Sequence, residues 1–191
     1  MGVDYSYEIH VPADHVVRAL TVLSGMTPGD LGPVEVTLPG GERMVLPFTS
    51  RFKNEPVDCA AGGQLLLDTS MLVDVEDDHA REYFQYRDEA GRGTLGYLYL
   101  TLSFVSKVHP RYASLEFTAA TTHMSMVMEY SSSVQKAFEK LTVASGGVCC
   151  WLDREWESLE VRWLNGERCR ERIPGPRFAT GIEVARTWPE L

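Results

Sequence analysis

Val34-Glu35-Val36-Thr37-Leu38-Pro39-Gly40-Gly41-Glu42-Arg43-Met44 is echoed later in the chain by Leu159-Glu160-Val161-Arg162-Trp163-Leu164-Asn165-Gly166-Glu167-Arg168-Cys169, with five of the eleven positions identical. Each copy reads as two short strands around a turn. Asn165-Gly166 is the stronger turn, because both residues tolerate the left-handed backbone that a two-residue antiparallel hairpin requires. A helical pattern precedes each copy. Val16, Ala19, Leu20 and Leu23 recur at i, i+3, i+4 and i+7 after Pro12, and Gly25 supplies a stop. Val134, Ala137, Phe138 and Leu141 repeat the stripe behind Ser132 or Ser133 as a cap. The helices match at an offset of 118 residues and the hairpins at 125, so only the connecting loops differ in length.

Between the copies the pattern is β-like. Residues 64–75 alternate, 81–88 and 94–108 read as a long hairpin across 89–93, and 112–120 reads as a strand running on towards Met128. Met124, Met126 and Met128 would then share a strand face. Residues 3–9 form an opening strand, 50–63 a loop, and 174–191, with three prolines, an irregular tail packed through Phe178, Ile182 and Trp188. The expected fold is α+β: a mostly antiparallel sheet with two helices on one face. Half-repeats over 3–48 and 122–173 would be two βαββ units flanking a central β meander at 64–120, all within one domain over 1–173. This order of elements resembles folds built by pairing two βαββ units.

A net charge of −9 argues against nucleic-acid binding, which needs clustered cations. No apolar run is long enough to span a membrane, and no secretory signal opens the chain. Met1-Gly2-Val3-Asp4-Tyr5-Ser6 fits the bare N-myristoylation pattern but reads better as the start of a strand. Four cysteines without Cys-x-x-Cys spacing point to reduced thiols and a cytoplasmic setting. Arginine outnumbers lysine 14 to 4, a bias that accompanies GC-rich bacterial genomes.

No motif carries chemistry. Gly91-Arg92-Gly93-Thr94-Leu95-Gly96 matches a dinucleotide fingerprint, yet a strand follows it where a helix is needed. Asp74-Val75-Glu76-Asp77-Asp78-His79 is rich in hard ligands but lacks Ca²⁺-loop spacing, so it reads as a solvated turn and no metal is expected. Cys149 and Cys150 are strand neighbours that point to opposite faces, one to core and one to surface. His10 and His15 bracket the first helix start. No catalytic triad and no cofactor motif can be placed.

Alternation sorts the middle strands into two faces. Phe84, Tyr86, Leu98, Leu100, Leu102, Phe104, Leu115 and Phe117 line the face that the helices should cover. The other face is rich in tyrosine and arginine, which bury area and still donate hydrogen bonds. Arg81, Tyr83, Arg87, Tyr97, Tyr99 and Glu116 are the expected ligand-binding residues. The expected function is a non-catalytic binding module for a small molecule or protein partner, with a homodimer as an allowed state. Two alternatives stand beside it: carboxylate acid–base catalysis in a sheet groove, and an acidic inhibitor that masks a basic partner.

Overall fold

The computed structural model describes residues 4–29 and 32–191, with the backbone alone at Trp156. Met1–Val3, which open both the myristoylation-like pattern and the expected first strand, lie outside the described residues. The strands are β1 (Ser6–Pro12), β2 (Val34–Thr37), β3 (Arg43–Leu46), β4 (Val57–Asp58), β5 (Gln64–Asp74), β6 (Arg92–Ser103), β7 (Tyr112–Thr118), β8 (Cys149–Asp153), β9 (Ser158–Leu164) and β10 (Glu167–Pro174). The helices are α1 (Val16–Gly25), α2 (Asp78–Tyr83), α3 (Thr122–Tyr130), α4 (Ser132–Ala144) and α5 (Arg177–Ala185).

Seven strands form one antiparallel sheet in the order β10-β9-β8-β1-β7-β6-β5. Its middle strand is β1, which alternates apolar Tyr7, Ile9 and Val11 with polar Ser6, Glu8 and His10; all six are buried. The apolar set meets α1, α3 and α4 on the sheet's first face, in a core shared with Leu98, Leu100, Leu102, Leu115 and Phe117. Tyr7 stacks on Phe138 of α4 with ring centroids 4.1 Å apart.

The two echoed hairpins part company. The second, β9–β10, forms one edge of the large sheet, and Asn165 (φ 51°) and Gly166 (φ 94°) adopt the expected left-handed turn. The first, β2–β3, belongs to a separate three-stranded sheet in which β4 runs parallel to β2. Its Val34, Val36, Leu46 and Phe48 join the core on the first face.

Three expected elements are corrected. Arg81–Tyr83 belong to α2 rather than to a strand, so β5 takes the place beside β6. Phe84 is still buried, packed over Gly93, where any Cβ would meet its ring, but Tyr86 is 89 % exposed. The expected strand extension to Met128 is α3, capped by Thr121, whose hydroxyl accepts from Met124 N at 3.1 Å. Helical spacing buries Met124, Val127 and Met128 and leaves Met126 exposed. The expected irregular tail holds α5, which lies across the second face; it buries Thr180, Gly181, Val184 and Ala185, while Phe178 and Ile182 face out. Gly181 makes that approach possible, since a Cβ there would lie 2.9 Å from Val108 and 3.2 Å from the Trp151 ring. With both faces covered near β8, Cys149 and Cys150 are both buried, so neither is a surface thiol.

The acidic run at 74–79 is built into this frame. Asp77 Oδ1 accepts from Ala80 N at 3.0 Å and caps α2. Its Oδ2 accepts from Ser133 N at 2.7 Å and Ser131 Oγ at 2.8 Å, at the start of α4. Burial acts to raise this carboxyl, but the hydrogen bonds outweigh it and hold it well below the ordinary range. One carboxylate thus serves two helix N-termini. Asp77→Ala should lower the unfolding free energy in urea by about 1–2 kcal/mol, the usual scale for a lost cap; a loss under about 0.5 kcal/mol would show that the serines cap α4 unaided.

Candidate functional site

The second face of the large sheet divides in two. Over β1, β8 and β9 it is covered by α5; over β5 and β6 it is open.

The covered half holds a buried ionic cluster. Register places Glu116 and Trp151 directly beside Glu8 on the two flanking strands, and Ser114 and Cys149 beside His10. Arg177, the first residue of α5, reaches into this row. Its Nη2 donates to Glu8 Oε2 at 2.8 Å, its Nη1 donates to Glu116 Oε1, and Nη1 lies 3.3 Å from Asp153 Oδ2. Trp151 Nε1 also donates to Glu8 Oε2, at 3.0 Å, and Ser6 Oγ donates to Glu116 at 3.3 Å. Behind Glu8 sits fully buried His10, with Nε2 3.6 Å from Glu8 Oε1 and Nδ1 3.3 Å from Ser106 Oγ. Trp151 and Trp188 close over the imidazole at ring-centroid distances of 4.4 Å and 4.8 Å.

Three carboxyls share one guanidinium here, and burial divides their roles. Burial pushes His10 down to about 4, so it is neutral at ordinary pH. Burial also acts to raise Glu8, yet the carboxyl is held below its ordinary value. A charged His10 is the largest opposing influence on Glu8, followed by Arg177 and the Trp151 N–H; with the imidazole neutral, the latter two are what remains. Asp153, farther from Arg177, shows the opposite result: burial, aided by the Glu8 and Glu116 charges, raises it to about 6.

The open half is aromatic. Tyr99 and Thr101 of β6, Leu66 of β5 and Thr118 of β7 face outward with Glu116. Exposure reaches 41 % at Tyr99, 69 % at Tyr97 and 64 % at Phe52. Phe52 comes from the chain that wraps round the β5 edge, where Thr49 bridges to Asp68. Its ring meets Tyr99 edge-on, with centroids 6.3 Å apart. Ser50 and Lys53 exchange backbone hydrogen bonds of 2.9 Å and 3.0 Å, so Arg51 and Phe52 form a two-residue turn at φ 52° and 59°. Asp68 braces it, accepting from Phe52 N at 2.6 Å and Thr49 Oγ1 at 3.0 Å. Beyond Gln64 and Ser103, at the end of β5 and β6, a cavity of about 670 Å³ opens between the start of α1 and the first hairpin, both elements of the first face; Val16, Val17, Leu38, Phe104, Glu42 and Lys107 are among its walls.

Of the six residues expected to bind ligand, Tyr97, Tyr99 and Glu116 lie on β6 and β7 along this second face. Arg81 and Tyr83 do not: both sit on α2, where Arg81 pairs with Asp78 and Tyr83 packs against Phe84 and His123. Arg87 is exposed in the connection between α2 and β6. Sequence reasoning missed Glu8, His10, Asp153, Arg177 and Phe52. The alternation Ser6-Glu8-His10 was the available signal, but in an antiparallel sheet it reads as a solvent face. Among the described residues, no group of three or more His, Cys, Asp or Glu is placed to hold a metal ion. Asp74 pairs with Lys140 at 2.7 Å, and Glu76 with Lys136.

The raised Asp153 has a consequence for stability. An aspartate in the unfolded chain titrates near about 3.9. Folding therefore favours protonated Asp153: its contribution is complete below about pH 4 and is lost as the pH rises through about 6. Between about pH 4 and pH 7, the unfolding free energy of Asp153→Asn should gain on the parent by on the order of 2–3 kcal/mol in urea titrations. A difference that stays constant with pH would contradict the assignment.

Among the described residues, no helix is long and apolar enough to cross a membrane. No protein-family model, no curated protein and no solved structure matches this chain.

Proposed function

We propose that the protein is a non-catalytic binding module that docks a protein partner on the open half of the second face. The observation that carries this reading is where the backbone is strained. Five non-glycine residues among those described have positive φ, and three of them, Arg51, Phe52 and Tyr97, border the open aromatic strip. Left-handed backbone costs an ordinary residue roughly 1–2 kcal/mol. Asn-Gly would relieve the 51–52 turn, as it does at 165–166. Strain retained beside exposed aromatic rings is a mark of a functional surface. Tyr97 stands in a β-bulge, where the β5–β6 register shifts between Thr69 and Met71, and the bulge turns its ring outward.

A protein suits this surface better than a small molecule. The strip is an open sheet face with exposed rings rather than an enclosing pocket. The four free cysteines favour a reducing, cytoplasmic setting. The internal echo is limited to a helix and a hairpin: α3 stands where the second unit's opening strand was expected, and β8 comes between α4 and the second hairpin with no counterpart in the first copy. Acid–base catalysis would have Asp153 and Glu116 as its carboxyls, but both are already engaged by Arg177.

The test separates strain from stability. Arg51→Asn with Phe52→Gly should raise the unfolding free energy by about 1–2 kcal/mol. A photo-cross-linking residue at position 99 should give a discrete adduct in cells, and one at Val143 should not. The adduct should fall at least about tenfold in the Asn-Gly variant. An adduct that survives unchanged in the stabilised variant, or that forms equally from position 143, would overturn the reading.

A further inference from the structure

A second aromatic site lies on the other side of the sheet, between α2 and α3. It is a cleft of about 380 Å³ walled by two pairs of rings. Tyr83 and His123 meet at 4.8 Å and 61°, and His79 and Tyr130 at 5.8 Å and 36°. Met126 adds a thioether and Glu82 a carboxylate. Among the described residues the lining has no lysine or arginine. The neighbouring arginines are engaged elsewhere: Arg81 with Asp78 and the Glu76 carbonyl, Arg154 with Glu129 at 2.7 Å.

Two tyrosine rings beside a small space, with a thioether, one carboxylate and no lysine or arginine in the lining, make a site for a soft organic cation. A quaternary ammonium fits best, because its methyl groups carry positive charge yet have no N–H that needs a partner. We infer that the α2–α3 cleft binds a small trimethylammonium compound of the choline class, held by the Tyr83 and Tyr130 rings, flanked by His79 and His123 and steered by Glu82. This site is independent of the docking strip and stands whether or not that proposal holds.

The probe is choline chloride, titrated into the full chain at constant chloride and followed by the imidazole proton resonances of His79 and His123. The control is 3,3-dimethylbutan-1-ol, which has the same shape without the charge. Choline should give saturable shifts at both histidines, with a dissociation constant on the order of 1 mM and about tenfold tighter than the neutral isostere. Tyr130→Ala, at a position 52 % exposed, should weaken choline about tenfold, and Glu82→Gln about threefold, with the fold intact by circular dichroism. Equal binding of the isostere, absence of saturable shifts, or full affinity in Tyr130→Ala would each overturn the assignment.

Discussion

Arg177 is the interaction on which the second face depends. One guanidinium at the start of α5 meets carboxylates from three neighbouring strands: Glu8 on β1, Glu116 on β7 and Asp153 on β8. Acidic side chains in the middle of a sheet are costly to bury, and removing the single counter-charge from such a cluster typically costs several kcal/mol. The apolar contacts of α5 lie next to this clamp. Gly181 lies on Trp151, and Trp188 packs over His10 beside Tyr112, whose hydroxyl donates to the Pro189 carbonyl at 2.8 Å.

The clamp also sets where the sheet is left open. A nine-residue helix covers β1, β8 and β9 but does not reach β5 and β6. The chain responds there by wrapping residues 49–53 round the β5 edge, braced by Asp68, and by bulging β6 at Tyr97. The first covers the free edge of β5, which would otherwise pair without control, while the bulge lies in β6, inside the sheet. Both also bring aromatic rings outward on strained backbone, which edge protection alone does not require. Structure and proposed function meet at this point: half a face is sealed by charge, and the other half presents rings.

Much of the fold was legible where periodicity and apolar character agreed. The stripes of α1 and α4 and the β6 and β7 core residues stood out because large apolar side chains recur at one period, and both hairpins because the echo and their turn residues mark them. Legibility failed where two periods coincide or where burial uses small residues. Residues 124–128 satisfy both a strand and a helix pattern, and the Thr121 cap decided for the helix. The buried stripe of α5 is Thr180, Gly181, Val184 and Ala185, which carries little hydrophobic signal beside its prolines and exposed Phe178. Asp77 was visible as an acidic residue, but its role as a double cap depends on serines more than fifty positions away. Half of the candidate surface, Tyr97, Tyr99 and Glu116, followed from strand alternation. Phe52 did not, because its loop has no periodicity, and Arg177 did not, because the buried stripe of its helix is made largely of small residues.

The most direct measurement is amide hydrogen exchange in Arg177→Met, which keeps the bulk of the side chain and removes its charge. If the guanidinium clamps α5, the amides of Thr180–Ala185 should exchange on the order of a hundredfold faster than in the parent, and those of α4 should change much less. Unchanged protection across α5 would show that its apolar contacts suffice. Arg177 would then not be what divides the second face.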